Sequence, residues 1–307
     1  MKSAARYLIG IVLLVIGLSH YSYADSSGSA GTVQDCVIAT HEVALEGGVL
    51  YYNRAGQGSP VVLLHGLFAQ KEQWNALLCL LAAAGYTAIA PDLPGFGKST
   101  DFPLSDYRLE HQADRVQQLL DALGIHAFNL AGSSMGGAIA ALYVQRYPRQ
   151  VLSLAFIGSP LGIAEWSPAI KEAIYQGVNP FIPVDTAQFD LEMRLLFVHP
   201  PAIPDTIKES LITDYVERNR HYQQVWNIVN LYDTLLDHRW RIRVPVLILW
   251  GENDQIFTVD GAEQLRSRIP GSQAVRLPDT GHLPMLENPV ATAAHYLRFL
   301  KTAVRSN

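Results

Sequence analysis

The chain has 307 residues, 49% hydrophobic and 17% charged, with 23 Lys and Arg set against 28 Asp and Glu. That length and composition suit a globular protein with one large core, and the negative balance argues against a nucleic-acid partner, which calls for a basic surface. Setting aside the first 24 residues, which hold Lys2 and Arg6 but no acidic residue, moves the formal charge from −5 to −7.

Those first residues have their own pattern. Lys2 and Arg6 precede an apolar run from Leu8 to Leu18, and Ser22-Tyr23-Ala24 fits a small-x-small cleavage site. Residues 1–24 therefore read as a signal peptide. The run falls short of the ~20 residues a membrane span needs, which leaves an uncleaved anchor as the alternative. The expected location is periplasmic or secreted. Residues 25–40 are rich in Ser, Gly, Ala and Thr and read as a flexible lead-in.

From residue 41 the chain alternates strand and helix signals. Gly48–Arg54 suggests a strand. Pro60–His65 is a short apolar run between turn residues, the mark of a strand buried on both faces. Gln70–Ala84 is helical in pattern, Tyr86–Pro91 a strand and Ser105–Leu123 a helix. Phe128–Gly132 reads as a strand, Ser134–Tyr147 as a helix and Val151–Ile157 as a strand. From about Pro160 to Arg243 the β pattern stops, and three or four helical segments are expected, one opened by a capping box at Asp185–Gln188. Alternation resumes with a strand at Val244–Trp250, a helix at Val259–Arg268 and a strand at Gln273–Leu277. A last helix is capped by Asn288, with Pro289 at its first position. The expected fold is α/β: a mostly parallel central sheet covered by helices on both faces, residues 41–159 and 244–307, with residues 160–243 as a helical cap. Cys36 and Cys79 are read as unpaired, because Cys79, in Leu-Leu-Cys-Leu-Leu, looks too buried to meet a residue of the tail. Two cysteines without ligand spacing hold no metal, and no cofactor is implied.

The chemistry starts at Gly132-Ser-Ser-Met-Gly136, a Gly-x-Ser-x-Gly between a strand and a helix. Such a turn lifts the Ser134 hydroxyl clear of the backbone, and its glycines keep Cβ atoms out of the bend. A serine needs a base, and this turn predicts the order Ser, acid, His. Asp254 follows the strand ending at Trp250, and His282 follows the strand ending at Leu277. In this reading His282 takes and returns the serine proton while Asp254 fixes the imidazole tautomer. Glu252 is the second choice for the acid. Asp260 reads as a helix N-terminal residue. The oxyanion donors are expected at the backbone N–H groups of Met135 and Leu67. His65, at a strand end before the serine, reads as structural. Asp92–Ser99 lacks the Walker spacing and reads as a turn rather than a phosphate loop.

In this order, His65-Gly66, Asp92-x-Pro-Gly-x-Gly-x-Ser99, Gly132-x-Ser-x-Gly136, Gly251-x-x-Asp254 and Gly281-His282 resemble the α/β-hydrolase superfamily. Within it the chain looks most like bacterial lipases and esterases of the monoacylglycerol-lipase type. Gly281–Pro289 is similar to their histidine loop, and His199–Pro204 resembles a cap segment of one such lipase. The resemblance implies a carboxylic-ester hydrolase acting through an acyl-enzyme on Ser134, with a small-molecule ester or lipid as partner and transient contact with a lipid surface. Carbon–carbon bond hydrolases and cofactor-free haloperoxidases or perhydrolases share the triad. The Leu67-Phe68-Ala69 sequence and Leu283 after the histidine depart from the carbon–carbon hydrolase pattern. Trp166, Phe181, Leu195, Leu196, Phe197, Tyr222 and Trp226 give the insert an apolar character that suits an acyl chain.

Overall fold

The computed structural model describes residues 36–162, 164–231 and 242–303, together with the backbone of a short antiparallel pair, Ser22–Ala24 with Ala30–Thr32. The signal-peptide reading falls, Ser22–Ala24 apart, outside the described residues. Among the described residues no helix is long and apolar enough to cross a membrane.

Among the described residues, eight strands form the central sheet: β1 (Ala39–Leu45), β2 (Gly48–Ala55), β3 (Ser59–Leu64), β4 (Tyr86–Pro91), β5 (Phe128–Ser134), β6 (Val151–Pro160), β7 (Val246–Gly251) and β8 (Gln273–Leu277). Their spatial order is β8-β7-β6-β5-β3-β4-β2-β1, with β2 antiparallel to both β1 and β4 and every other neighbouring pair parallel. The apolar runs behave as their composition requires. In β3, Val62 and Leu64 enter one core while Val61 and Leu63 enter the other, and all four are fully buried. A strand covered on both faces has no polar side to show, hence the unbroken run. Helices α2 (Leu109–Ala122) and α3 (Met135–Arg146) cover the first face. The second is covered by α1 (Asn75–Ala83) and by the C-terminal Pro289–Ala303 helix.

The helical stretch expected at 70–84 divides into a 3-10 turn, Lys71–Trp74, and α1. Among the described residues, four helices lie between β6 and β7: α4 (Pro168–Tyr175), α5 (Thr186–Leu196), α6 (Asp205–Glu217) and α7 (Asn219–Asn230). The side chain of Asp185 accepts the Gln188 N–H at 2.8 Å, the cap read from the sequence. Beyond β7, α8 spans Gly261–Arg268, and Asp260 stands at its N-cap. A single turn, α9 (Pro284–Glu287), precedes α10 (Pro289–Ala303).

Two features differ from the sequence reading. The strand β1 begins inside the stretch read as a lead-in and pairs antiparallel with β2 at the sheet edge. Its Ala-Thr-His-Glu-Val-Ala-Leu is mostly exposed, so it lacks the apolar run that marks a central strand. Cys36 and Cys79 are also joined, with an S–S distance of 2.02 Å and Cα atoms 5.5 Å apart. Cys79 is only half-buried on α1. The entry to β1 brings Cys36 and Ile38 back against the core cluster that α1 helps to build, so the two sulfurs meet.

The strand order reverses between β3 and β5. These strands are direct parallel neighbours, with Leu64 opposite Gly132. The loops leaving their carboxyl ends therefore open a crevice at the switch point.

Candidate active site

The turn after β5 leaves no room for side chains at its glycines. A Cβ on Gly132 would lie 2.2 Å from the Gly136 carbonyl oxygen, and one on Gly136 would lie 2.2 Å from that of Leu64. Between them Ser134 has φ 51° and ψ −119°, a conformation that L residues rarely adopt. The strain aims its side chain away from the strand and toward Gly66, where a Cβ would sit 3.3 Å from the Ser134 Cβ. Met135 opens α3, so its N–H is among the donors with no partner inside the helix.

The loop after β3 is held from behind. The Gly66 N–H donates to Gln73 Oε1 at 3.1 Å, while Gln73 Nε2 reaches Met285 Sδ at 3.3 Å. His65 is fully buried, with Nδ1 2.8 Å from the Gly66 carbonyl and Nε2 accepting the Leu93 N–H at 3.0 Å. Both ring nitrogens are thus occupied by backbone, and burial pushes its pKa down to about 4. This is the structural role read from the sequence. Asp92 accepts the Lys71 and Lys98 backbone N–H groups and the Lys71 ammonium, all within 3.0 Å. A Cβ on Gly97 would strike the Asp92 carboxylate, so the segment 92–99 is a braced turn with no phosphate cradle.

Asp254 and His282 meet at the other side of the crevice. His282 Nδ1 lies 3.0 Å from Asp254 Oδ2, and both side chains are buried. Asp254 Oδ1 accepts the N–H groups of Ile256 and Phe257 at 2.8 and 3.2 Å. Those bonds orient the carboxylate, which in turn engages Nδ1 of the imidazole. The two loops are packed together: a Cβ on Gly251 would stand 2.0 Å from the Gly281 carbonyl. Glu252 is exposed and turned out of this arrangement.

The histidine loop is also bonded to the insert. The His282 N–H donates to the Leu196 carbonyl at 3.0 Å. Glu287 accepts three backbone N–H groups, from Gly281 at 2.6 Å, Val198 at 2.6 Å and His199 at 2.9 Å. An exposed ion pair, His199 with Asp279 at 2.9 Å, closes the same junction.

One cavity of about 1020 Å³, counting its open mouth, joins these groups. Ser134, His282, Gly66 and Leu67 line its floor, and the insert supplies its apolar walls. Of the apolar insert residues named from the sequence, Trp166, Phe181, Leu196 and Phe197 line it. Trp226 stacks behind Phe181 at 5.4 Å, and Trp166 stacks on Phe257 of the Asp254 loop at 4.6 Å. Leu195 lies in the main core and Tyr222 packs on Tyr215. Sequence reasoning missed Gln73, Glu192, Tyr215 and Glu287. A signal for Glu192 was present, since α5 buries Phe189, Glu192 and Leu195 at a spacing of three. An acidic residue within that stripe is unusual.

Residues 59–289 match the model of the alpha/beta hydrolase fold family. The chain belongs to that family. It is 29% identical over 250 residues to Lipase 1 of Psychrobacter immobilis, covering 79% of this chain and 77% of the relative. It is also 29% identical over 263 residues to monoacylglycerol lipase ABHD6 of Mus musculus, covering 81% and 78% respectively. Among solved structures, a membrane phospholipase A described as a bacterial virulence factor superimposes with a TM-score of 0.79 at 29% identity. That match covers 97% of this chain and 92% of the other.

Proposed function

We propose that this family member hydrolyses carboxylic esters, with acylglycerols or related lipid esters as substrates. The observation that carries the reading is the apolar cavity onto which both Ser134 and the Asp254-paired His282 open. Ser134 Oγ attacks the ester carbonyl carbon while His282 takes its proton, and Asp254 stabilises the imidazolium. The oxyanion is held by the Leu67 and Met135 N–H groups, each worth about 3–4 kcal/mol in the transition state. The C–O bond to the alcohol breaks as His282 returns the proton to the leaving oxygen. Water, deprotonated by His282, then attacks the acyl-serine, releasing the acid and restoring the Ser134 hydroxyl. The relatives named for lipase activity support the substrate class, as does the apolar wall. The Cys36–Cys79 disulfide supports action in an oxidising compartment outside the cytoplasm, where such bonds persist.

The test is Ser134→Ala, assayed on a p-nitrophenyl ester, together with labelling of the wild type by a fluorophosphonate. Turnover should fall by about 10³-fold or more, and labelling should vanish in the variant. Retention of more than a few per cent of activity overturns the assignment.

A further inference from the structure

The walls of the cavity are apolar with one prominent exception. Glu192 projects from α5 among Phe189, Met193 and Leu211, and all four line the cavity. It is 6% exposed. The Tyr215 phenol hydrogen-bonds its carboxyl group. Its Oε2 has no hydrogen-bond partner among the described residues. Leaving such an atom unmatched costs stability, and leucine or methionine would line an acyl pocket without that cost. A buried polar atom facing a substrate cavity is explained if the substrate supplies the missing partner.

The chemistry of the surroundings narrows that partner. Burial pushes the Glu192 pKa up to about 8, so the group is a neutral acid near pH 7 that both donates and accepts. No lysine or arginine lines the cavity among the described residues, so a phosphate or carboxylate finds no counter-charge there. An uncharged hydroxyl matches both roles of the acid.

We propose that Glu192, held by Tyr215, forms a subsite for an uncharged hydroxyl of the substrate, so that the preferred esters carry a free alcohol, as partial glycerides do. This rests on the ester-hydrolase reading above. A site built around a hydroxyl discriminates against analogues that lack it, because its own polar atoms are then left unpaired.

The experiment compares kcat/KM for a 1-monoacylglycerol with that for the methyl ester of the same fatty acid, using the full chain. Wild type should favour the monoacylglycerol. In Glu192→Leu the ratio of the two values should fall about tenfold, and in Glu192→Gln, which still donates and accepts, it should stay within about threefold of wild type. The melting temperature of Glu192→Leu should be no lower than that of wild type. Tyr215→Phe, which keeps the ring, should lower the ratio in the same direction and carries the test if the leucine variant does not fold. A ratio unchanged in both Glu192→Leu and Tyr215→Phe overturns the subsite alone. Failure of wild type to cleave either ester overturns the ester-hydrolase reading, and the subsite with it.

Discussion

The carboxyl ends of the strands and the helical insert wall the same cavity, but they treat polar groups differently. At the strand ends, Asp254 uses both carboxylate oxygens, His65 uses both ring nitrogens, and Gln73 bridges Gly66 to Met285. Positions are fixed by short bonds to backbone, and Ser134 is held in a conformation it would not choose. In the insert, aromatic rings pack at 4.6–5.6 Å and Glu192 keeps one oxygen unmatched. On the proposed reading, one region holds the reacting atoms through fixed bonds, and the other is a surface whose last partner is the ligand. Geometry is then concentrated where bonds change, and selectivity where they do not.

The division can be broken by substitutions on either side. Asp254→Asn keeps the side chain's shape but reverses the hydrogen-bond logic at His282 Nδ1. It should cut kcat by about 10²–10⁴-fold for every ester, long or short, in steady-state assays. A loss confined to some substrates would mean that the acid belongs to recognition. Opening the disulfide with Cys36→Ser, which releases a loop of 43 residues in sequence separation, should cost about 2–4 kcal/mol and lower the melting temperature by roughly 5–10 °C. Substrate preference should not move, because the bond lies away from the insert. Phe181→Ala should act the other way: melting changes little, while kcat/KM for a long-chain ester falls about tenfold relative to a short-chain one. Equal losses for both would place Phe181 among the groups that hold the reacting centre.

A further effect is read in pH. The folded-state pKa of Glu192 stands near 8 against an ordinary value of 4.5. Between those values the folded chain keeps a proton that the unfolded chain has lost. Stability should therefore fall as pH rises from about 4.5 to about 8, by at most about 1.4 kcal/mol per pH unit from this group, and level off above. Glu192→Gln should flatten that slope in denaturant titrations across the range. An unchanged slope would mean that the carboxyl is not shielded from water.

The sequence order of Ser134, Asp254 and His282 was legible because Ser134 and Asp254 follow strands with unmistakable apolar runs, because His282 follows the shorter Gln273–Leu277 strand behind a glycine, and because crowded turns demand glycine. The central strands were legible for the same reason. The edge strand β1 was not: an exposed strand carries Thr, His and Glu, which mimic a loop. The Cys36–Cys79 bond depends on where the chain entering β1 passes α1, and no local pattern encodes that path. Glu192 escaped because an acid on a helix reads as solvated unless the opposite partner helix is known. Gln73 and Glu287 act through backbone N–H groups, which leave no trace in composition.

Glu287 carries one more consequence. Its carboxylate gathers N–H groups from Gly281 on one side and from Val198 and His199 on the other, and the Leu196 carbonyl takes the N–H of His282 itself. The end of α5 is therefore part of the scaffold that holds the histidine. The chain enters the insert after β6 and leaves it before β7, yet the mechanical seam runs elsewhere, leaving residues 196–199 with the sheet. An insert transplanted whole between relatives would take a piece of the histidine's foundation with it, whereas one exchanged without those residues would leave the foundation in place.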